Sequence, residues 1–237
     1  MMVLDRPEKR NALTPDMLAN LVSSADLVHS GKGRADAVVL AGEGPAFCAG
    51  FDLSLCRDDA QMMAALLTRL SHAVRSLRRI SAPVVVAAHG AAIAGGCALL
   101  GGGDIVVADR GARLGYPVVR LGVSPAVTAP ALASCVRGGA LRRLLLDPGL
   151  ITGDEGARLG LVHEMIEAPA DVRARAIEIA SALAAKPPLG VHTTKRWLTE
   201  IEGADRHDVF DAALRASLAL AGGAEERSRL AALWKGD

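Results

Sequence analysis

Two short apolar runs that each lead into a glycine-rich turn constrain the fold of this chain more than any other feature. Val38-Val39-Leu40 precedes the turn at 47–53, and the run at 84–88 precedes the turn at 90–99. Apolar runs without polar alternation are typical of strands buried on both faces, as in a parallel sheet. Helical segments separate the runs, which favours parallel pairing with right-handed crossovers. The sequence therefore predicts an α/β body.

Capping signals and apolar spacing place the other elements. Thr14-Pro15-Asp16 begins a helix, because it combines a hydroxyl N-cap, a proline at the first helical position and an acid in the first turn. Strands are predicted at 36–40, 84–88, 104–108 and 161–166. Further helices are predicted at 61–79, at 131–146, after Asp154, and at 169–185, 189–201, 205–221 and 224–234.

Composition narrows the range of partners. The chain has 237 residues, a formal net charge of +1 and only 3% aromatic residues, so neither nucleic acid nor an acidic membrane surface is expected. No apolar stretch reaches the roughly 18 residues of a membrane helix. The four cysteines, Cys48, Cys56, Cys97 and Cys135, form no C-x-x-C pair, which argues against a metal site and disulfides and favours the cytoplasm.

The two turns suit the binding of a developing negative charge. A strand that ends in a glycine-rich turn and opens a helix directs free backbone N–H groups outward, where the helix dipole adds partial positive charge. A single such turn is more simply a tight turn. Two turns at the ends of successive parallel strands are typical of a ligand site, and each N–H is worth about 3 kcal/mol towards an oxyanion.

Four segments together resemble the enoyl-CoA hydratase/isomerase (crotonase) family. They are 6–13 (RPEKRNAL), 42–53 (GEGPAFCAGFDL), 83–99 and 153–162 (GDEGARLGLV), and they follow the family's order and spacing over nearly the whole chain. The resemblance implies a crotonase-like α/β spiral of ββα turns at 1–165, with an acyl-CoA site and with the first hairpin largely missing. It also implies a helical C-terminal region at 166–237 that forms a homotrimer or a dimer of trimers. No permanent cofactor is implied, because coenzyme A enters as part of the substrate.

The resemblance also assigns site residues. The two oxyanion-hole N–H groups fall on Phe51 and Gly95. Lys235 is a candidate phosphate partner, contributed by a neighbouring helix. The substrate-binding positions are Arg10, Ala12, Leu13, Ala49, Asp52 and Leu53.

Two departures from the family pattern concern proton transfer. The hydratases of the family carry a glutamate after the second glycine-rich turn and another after the third strand, and these positions hold Ala98 and Val118. Methyl and isopropyl groups cannot act as the general acid and base that water addition requires. Hydration by the two-glutamate route is therefore expected to be very weak. Isomerisation, decarboxylation, hydrolysis, a lyase step and a non-catalytic acyl-CoA-binding or assembly role all stay open.

Several polar residues are candidates for a substitute proton carrier. Asp52 and His89 lie beside the two turns, and each also fits a structural role, as a turn-capping carboxylate and a satisfied histidine. Ser124 and Thr128 fit capping better than nucleophilic chemistry. The arginines on one side of the 61–79 helix are interpreted as a solvated face, with contact to the CoA phosphates as the alternative.

Overall fold

A five-stranded parallel sheet forms the centre of the fold. The computed structural model describes residues 1–147, 149–203 and 206–235. In chain order its strands are β1 (Met2–Leu4), β2 (Val38–Gly42), β3 (Val84–Ala88), β4 (Ala91–Ile93), β5 (Ile105–Asp109), β6 (Arg113–Gly115), β7 (Leu150–Thr152) and β8 (Glu164–Ile166). The main sheet has the order β1-β2-β3-β5-β8 with every pair parallel, as the apolar runs predict.

The helices pack on both faces of this sheet and over one end of it. They are α1 (Pro15–His29), α2 (Met62–Arg79), α3 (Gly95–Leu100), α4 (Ala129–Leu132), α5 (Gly138–Leu146), α6 (Gly153–Leu159), α7 (Val172–Ala184), α8 (Pro188–Ile201), α9 (His207–Leu218) and α10 (Ala224–Lys235). Short 3-10 turns lie at 7–9, 53–56, 117–121, 125–128 and 169–171. The predicted α/β body is thus present, and helices alone follow β8 in the described part of the chain.

Strand periodicity divides the core into two parts. Leu40 and Val86 face a large cluster that includes Leu18 of α1 and Leu66 of α2. Their neighbours along the strands, represented by Val85, face α7 in a smaller cluster. Alternate residues of a strand point to opposite faces, so an uninterrupted apolar run fills both clusters at once.

The structure corrects the prediction of one helix at 131–146. The segment contains α4 and α5 with a break between them, because Arg137 is extended at φ −112° and Gly138 takes φ +58°. A glycine tolerates that left-handed backbone, and a helix cannot continue through it. The predicted start of a helix at Asp205 lies outside the described residues.

The second, three-stranded sheet was not predicted from the sequence. Here β4 pairs parallel with β6, and β6 pairs antiparallel with β7. Each of these strands has only three residues, and β4 lies inside the second glycine-rich segment. Runs of this length show no measurable periodicity. Over the parts of the chain that the structure describes, no helix has the length and apolar character needed to cross a membrane.

Asn11 ties the N-terminal segment to the first glycine-rich turn. Its side chain is fully buried, and its Nδ2 lies 2.8 Å from the Glu43 carbonyl oxygen, 2.9 Å from that of Ala46 and 3.1 Å from that of Phe47. Its Oδ1 accepts a 2.8 Å hydrogen bond from the Arg6 N–H. The residue sits at φ +56°, a left-handed backbone that asparagine adopts more readily than most residues.

We expect Asn11→Ala to lower the free energy of unfolding by about 3 kcal/mol, because buried carbonyls lose their donor and alanine is strained at positive φ. Asn11→Gly removes the strain alone and should recover about 1 kcal/mol of the loss. Urea unfolding measures both. Asn20→Ala, at an exposed position of α1, is the control and should stay within about 0.5 kcal/mol of the wild type. Equal stability of Asn11→Ala and Asn20→Ala would contradict this role.

Candidate active site

Backbone pairing brings the two glycine-rich turns together. The Cys48 N–H donates to the Ala91 carbonyl at 3.0 Å, and the Cys48 carbonyl accepts from the Ile93 N–H at 3.0 Å. On its other side the first turn pairs with Leu13, whose N–H donates to the Gly50 carbonyl at 2.7 Å. The first turn is therefore held between the segment before α1 and β4.

The residues Phe51 and Gly95 lie next to each other, and the fold makes no use of their amides. A Cβ built on Gly95 would lie 3.2 Å from the Phe51 ring, and one built on Gly50 would lie 3.8 Å from the Gly95 nitrogen. Gly95 is the first residue of α3, where an N–H has no partner within the helix. Among the described residues, neither amide donates to a backbone or side-chain acceptor. Two neighbouring residues therefore each carry an amide without a protein acceptor among the described residues.

An apolar cavity of about 260 Å³ opens beside these amides. Four of the sequence-predicted site residues, Ala49, Phe51, Leu53 and Gly95, line it. Its remaining lining comes from α2, from β4 and the residue after it, from the 116–128 segment and from α10: Met63, Leu67, Leu70, Ile93, Ala94, Tyr116, Pro117, Val118, Arg120, Leu121, Val123, Ser124, Pro125, Val127, Thr128 and Leu233. The mostly apolar lining is thus suited to a hydrocarbon group.

The cavity wall carries few groups that can ionise. Of the residues that line it, only Tyr116 and Arg120 are titratable, and no carboxylate, imidazole, amine or thiol is among them. Val118 lines the cavity, whereas Ala98 is fully buried in the core. No group of three or more His, Cys, Asp or Glu among the described residues is arranged to hold a metal ion.

Comparison with known proteins decides the family. The sequence model for "Enoyl-CoA hydratase/isomerase" matches residues 1–215. This chain belongs to the enoyl-CoA hydratase/isomerase family. It is 30% identical over 199 residues to the short-chain-enoyl-CoA hydratase of Clostridium acetobutylicum, a match that covers 83% of this chain and 76% of the relative.

Solved structures of the enoyl-CoA hydratase/isomerase family share the fold. One from Mycobacterium paratuberculosis superposes with a TM-score of 0.86 at 26% identity, covering 97% of this chain and 92% of that one. Another, from Xanthobacter autotrophicus Py2, gives 0.87 at 25% identity, covering 98% and 88%. Both are described as an enoyl-CoA hydratase/isomerase.

The other four predicted substrate-binding residues of this family member lie outside the cavity lining. Arg10 is exposed, and its carbonyl accepts from the Ala49 N–H at 2.9 Å. The Ala12 carbonyl accepts from Arg6 Nη1 at 3.1 Å. Leu13 is fully buried and packs beside Gly95. These residues belong to the segment that packs against the first turn, and they do not line the cavity. Direct contact with a ligand stays a prediction for them.

Asp52 has a structural set of partners. Its Oδ2 accepts from Arg6 Nη1 at 2.7 Å, and its Oδ1 accepts from the Ser54 hydroxyl at 2.5 Å and the Ser54 N–H at 3.2 Å. Burial alone would raise the pKa of Asp52, but the hydrogen bonds from Ser54 and Arg6 outweigh it and leave the pKa below its ordinary value. The carboxylate caps the 3-10 turn at 53–56 and does not line the cavity.

His89 also has a structural partner, since its Nε2 lies 2.9 Å from the Gly44 carbonyl oxygen and the ring is buried away from the cavity lining.

Ser124 and Thr128 do line the cavity. Ser124 Oγ accepts from the Ala126 N–H at 3.2 Å, and the Thr128 hydroxyl donates to the Pro125 carbonyl at 2.9 Å. These local hydrogen bonds agree with the prediction that Ser124 and Thr128 have capping roles.

Asp109 is a structural residue that the sequence reasoning missed. It is buried, and its Oδ1 accepts from the Gly90 N–H at 2.6 Å, which fixes the start of the second turn. An acid at the end of an apolar strand followed by Arg110-Gly111 gave no signal beyond an ordinary strand end. Its position at the carboxyl end of β5, the neighbour of β3, could have suggested the contact.

The interpretation of the α2 arginines as a solvated or phosphate-binding face is wrong for two of them. Arg75 Nη1 pairs with Asp211 of α9 at 2.7 Å, and Arg78 Nη2 pairs with Glu202 at 2.7 Å. These ion pairs join α2 to the C-terminal helices. A single helix pattern cannot show them, because both acids lie more than 120 residues away.

The C-terminal helix α10 contributes to the site of its own chain. Leu233 lines the cavity, and the Arg57 guanidinium lies 5.4 Å from the centre of the Trp234 ring, within cation–π range. Lys235 follows on the same helix and is exposed. Its contact with a phosphate stays a prediction.

The depressed pKa of Asp52 predicts an acid-sensitive contribution to stability. A carboxylate with a folded-state pKa below the unfolded value of about 3.9 stabilises the fold above that pH, and the contribution is lost as pH falls through the folded-state pKa. We therefore expect the gap in unfolding free energy between wild type and Asp52→Asn to be widest near neutral pH and to narrow below pH of about 4. Urea unfolding across pH measures it. Asp5→Asn, at an exposed position, is the control and should show a small gap throughout; a constant gap for Asp52→Asn would contradict the assignment.

Proposed function

We propose that this protein binds an acyl-CoA thioester, with the acyl group in the apolar cavity and the thioester oxygen at the Phe51 and Gly95 amides. The observation that supports the proposal is that Phe51 and Gly95 both line an apolar cavity and that neither amide donates to an acceptor among the described residues. Such donors stabilise the enolate oxygen that forms when a thioester loses a proton or group from the α-carbon. Coenzyme A enters with the substrate, and no permanent cofactor is part of the proposal.

The lining of the cavity supports an acyl ligand. Its walls are formed mostly by aliphatic side chains from α2 and the 116–128 segment, such as Met63, Leu67 and Val127. Burial of an acyl chain here gains about 0.8 kcal/mol per CH₂ group. Leu233 of α10 is also part of the lining, so the C-terminal helix of the same chain contributes to the proposed acyl site.

The same lining argues against ordinary hydration. Water addition needs a positioned acid and base, and the cavity wall offers neither a carboxylate nor an imidazole. Ala98 and Val118 stand where the resemblance places the two glutamates. Polarisation of the thioester by Phe51 and Gly95 is independent of them, because it uses backbone groups alone.

A non-catalytic acyl-CoA-binding or assembly role is the second candidate. It is favoured by the cavity wall, which holds an acyl group without offering a base to remove a proton from it. Titration with acyl-CoA thioesters followed by product analysis separates the two: binding with no product from a panel of enoyl, malonyl-type and hydroxyacyl thioesters supports the second candidate, and turnover of any of them supports the first.

Assembly into a homotrimer or a dimer of trimers is also part of the proposal. Leu189, Trp197, Leu198 and Ile201 of α8 are each at least half exposed, at 82%, 60%, 50% and 65%. An apolar helix face of this kind is typical of a protein–protein contact.

The proposal places the protein in the cytoplasm, since all four cysteines are free thiols.

Hydration of crotonyl-CoA should be very weak in the wild type, because proton transfer by positioned groups normally contributes about 10²–10⁴-fold. Val118→Glu places a carboxylate on the cavity wall and should raise the hydration rate measurably. Absorbance of the enoyl thioester follows the reaction. Val118→Gln, which has nearly the same shape and no carboxylate, is the matched control. Wild-type turnover equal to that of an ordinary family hydratase would contradict this part of the proposal.

Gly95→Ala tests the amide pair. The added Cβ would lie 3.0 Å from Leu13 Cδ1 and 3.2 Å from the Phe51 ring, so both side chains must shift, and the methyl group narrows the space beside the Gly95 amide. Acyl-CoA binding should weaken about tenfold or more in calorimetry. Gly139→Ala, where a Cβ meets nothing within 4 Å, is the control and should bind like the wild type. Unchanged affinity in folded Gly95→Ala would sink the assignment of this amide.

A further inference from the structure

Arg6 holds the C-terminal end of the first glycine-rich turn. Its Nη1 donates to the Asp52 carboxylate at 2.7 Å and to the Ala12 carbonyl at 3.1 Å. Asp52 directly follows Phe51, and its other carboxylate oxygen accepts from the hydroxyl and the N–H of Ser54. Both oxygens of the carboxylate are therefore engaged, and the guanidinium joins the turn to the segment before α1.

Backbone bonds place Phe51 opposite Leu13. The Leu13 N–H donates to the Gly50 carbonyl at 2.7 Å, and the Asp52 N–H donates to the Leu13 carbonyl at 3.0 Å. These two bonds lie on either side of Phe51 and make no use of its N–H. Arg6 joins the same two segments beside this pair, so it restrains the residue that follows the Phe51 amide.

Arg6 is itself tied to the beginning of the turn through Asn11. The Arg6 N–H donates to Asn11 Oδ1 at 2.8 Å, and the Arg6 carbonyl accepts from the Asn11 N–H at 2.9 Å. The Asn11 side chain donates to the carbonyls of Ala46 and Phe47. The segment from 6 to 11 therefore holds both ends of the turn, one through an amide side chain and the other through a guanidinium.

The surroundings of the ion pair favour an effect on position over an effect on folding. The side chain of Arg6 is 26% exposed and that of Asp52 is 9% exposed, so the pair is open to solvent on the arginine side. Without Arg6 the carboxylate keeps its two bonds to Ser54. The fold should therefore persist while the residue after Phe51 gains freedom. A shift of about 0.5 Å is enough to weaken a bond to a ligand.

We propose that Arg6 is a positioning residue, which holds the Phe51 amide in place through Asp52 and so determines how well a thioester oxygen is bound. The inference rests on the proposed contact of that oxygen with the amides of Phe51 and Gly95. Arg6 does not line the cavity. Its effect should therefore fall on the thioester oxygen of the ligand and leave the contacts of the acyl chain unchanged.

Calorimetric titration with butyryl-CoA and its thioether analogue S-butyl-CoA tests the inference, because the analogue has a CH₂ group in place of the thioester carbonyl. The wild type should bind butyryl-CoA about tenfold tighter, since two hydrogen bonds are together worth roughly five- to hundredfold. In Arg6→Met this ratio should fall to about threefold or less, with the affinity for S-butyl-CoA within about twofold of the wild type. Arg34→Met, at an exposed position, is the control and should keep the wild-type ratio.

Two further variants test the route through Asp52. Arg6→Lys keeps the positive charge on a shorter stem, and its ratio should lie between those of the wild type and Arg6→Met. It also serves as the test variant if thermal unfolding shows that Arg6→Met does not fold. Adding Arg6→Met to Asp52→Ala should lower the ratio no further than Asp52→Ala alone, because both residues act through one contact.

Other results overturn the inference in recognisable ways. A wild-type ratio in folded Arg6→Met or Arg6→Lys shows that Arg6 does not position the amide. Equal weakening of both ligands assigns Arg6 to the CoA moiety or to the structure as a whole. Additive effects of Arg6→Met and Asp52→Ala contradict the route through Asp52. A wild type that binds both ligands equally overturns the proposed contact of the thioester oxygen with the amides, and failure to bind either overturns the proposed acyl-CoA site.

Discussion

The pairing of the first glycine-rich turn with β4 is the interaction on which the rest of the site depends. Cys48 exchanges two backbone hydrogen bonds with Ala91 and Ile93. These bonds continue the backbone pairing beyond the last residues of β2 and β3. Phe51 comes to lie beside Gly95 only because this register holds. The contact between Phe51 and Gly95 is thus a consequence of backbone pairing, and no polar side chain is needed to create it.

This close pairing explains why glycines occupy the turns. A Cβ on Gly96 would collide with the Cys48 carbonyl, and one on Gly90 would collide with that of Pro45. Gly50 takes φ +99°, which an L-residue with a side chain rarely adopts. Space and backbone conformation therefore both exclude larger residues. The glycine pattern is a physical requirement of the approach between the two segments, and for that reason it was visible in the sequence.

What the sequence could predict follows from the range of each interaction. Periodicity and capping are local, and they placed β2, β3, α2 and the four C-terminal helices within a few residues. The break before α5 was missed because Gly138 takes a positive φ that composition does not announce. The ion pairs of Arg75 and Arg78 join distant segments, so their helix read as a solvated face.

The cavity wall also bears on which chemistry the amide pair can serve. Amides that favour an oxyanion accelerate a step only when charge develops on that oxygen in the transition state. If the charge must come from loss of a proton, a base is required. The titratable residues of the lining are Tyr116, whose raised pKa keeps the phenol protonated, and Arg120, whose guanidinium is a cation, so neither can act as the base. If it comes from loss of a carboxylate as CO₂, the bonding electrons of the broken C–C bond flow into the thioester with no proton removed. An apolar wall assists that step, because it destabilises the charged carboxylate of the substrate and does not destabilise the neutral CO₂ that leaves. Among the reactions open to this scaffold, those that form the enolate without a base fit its residues better than hydration does.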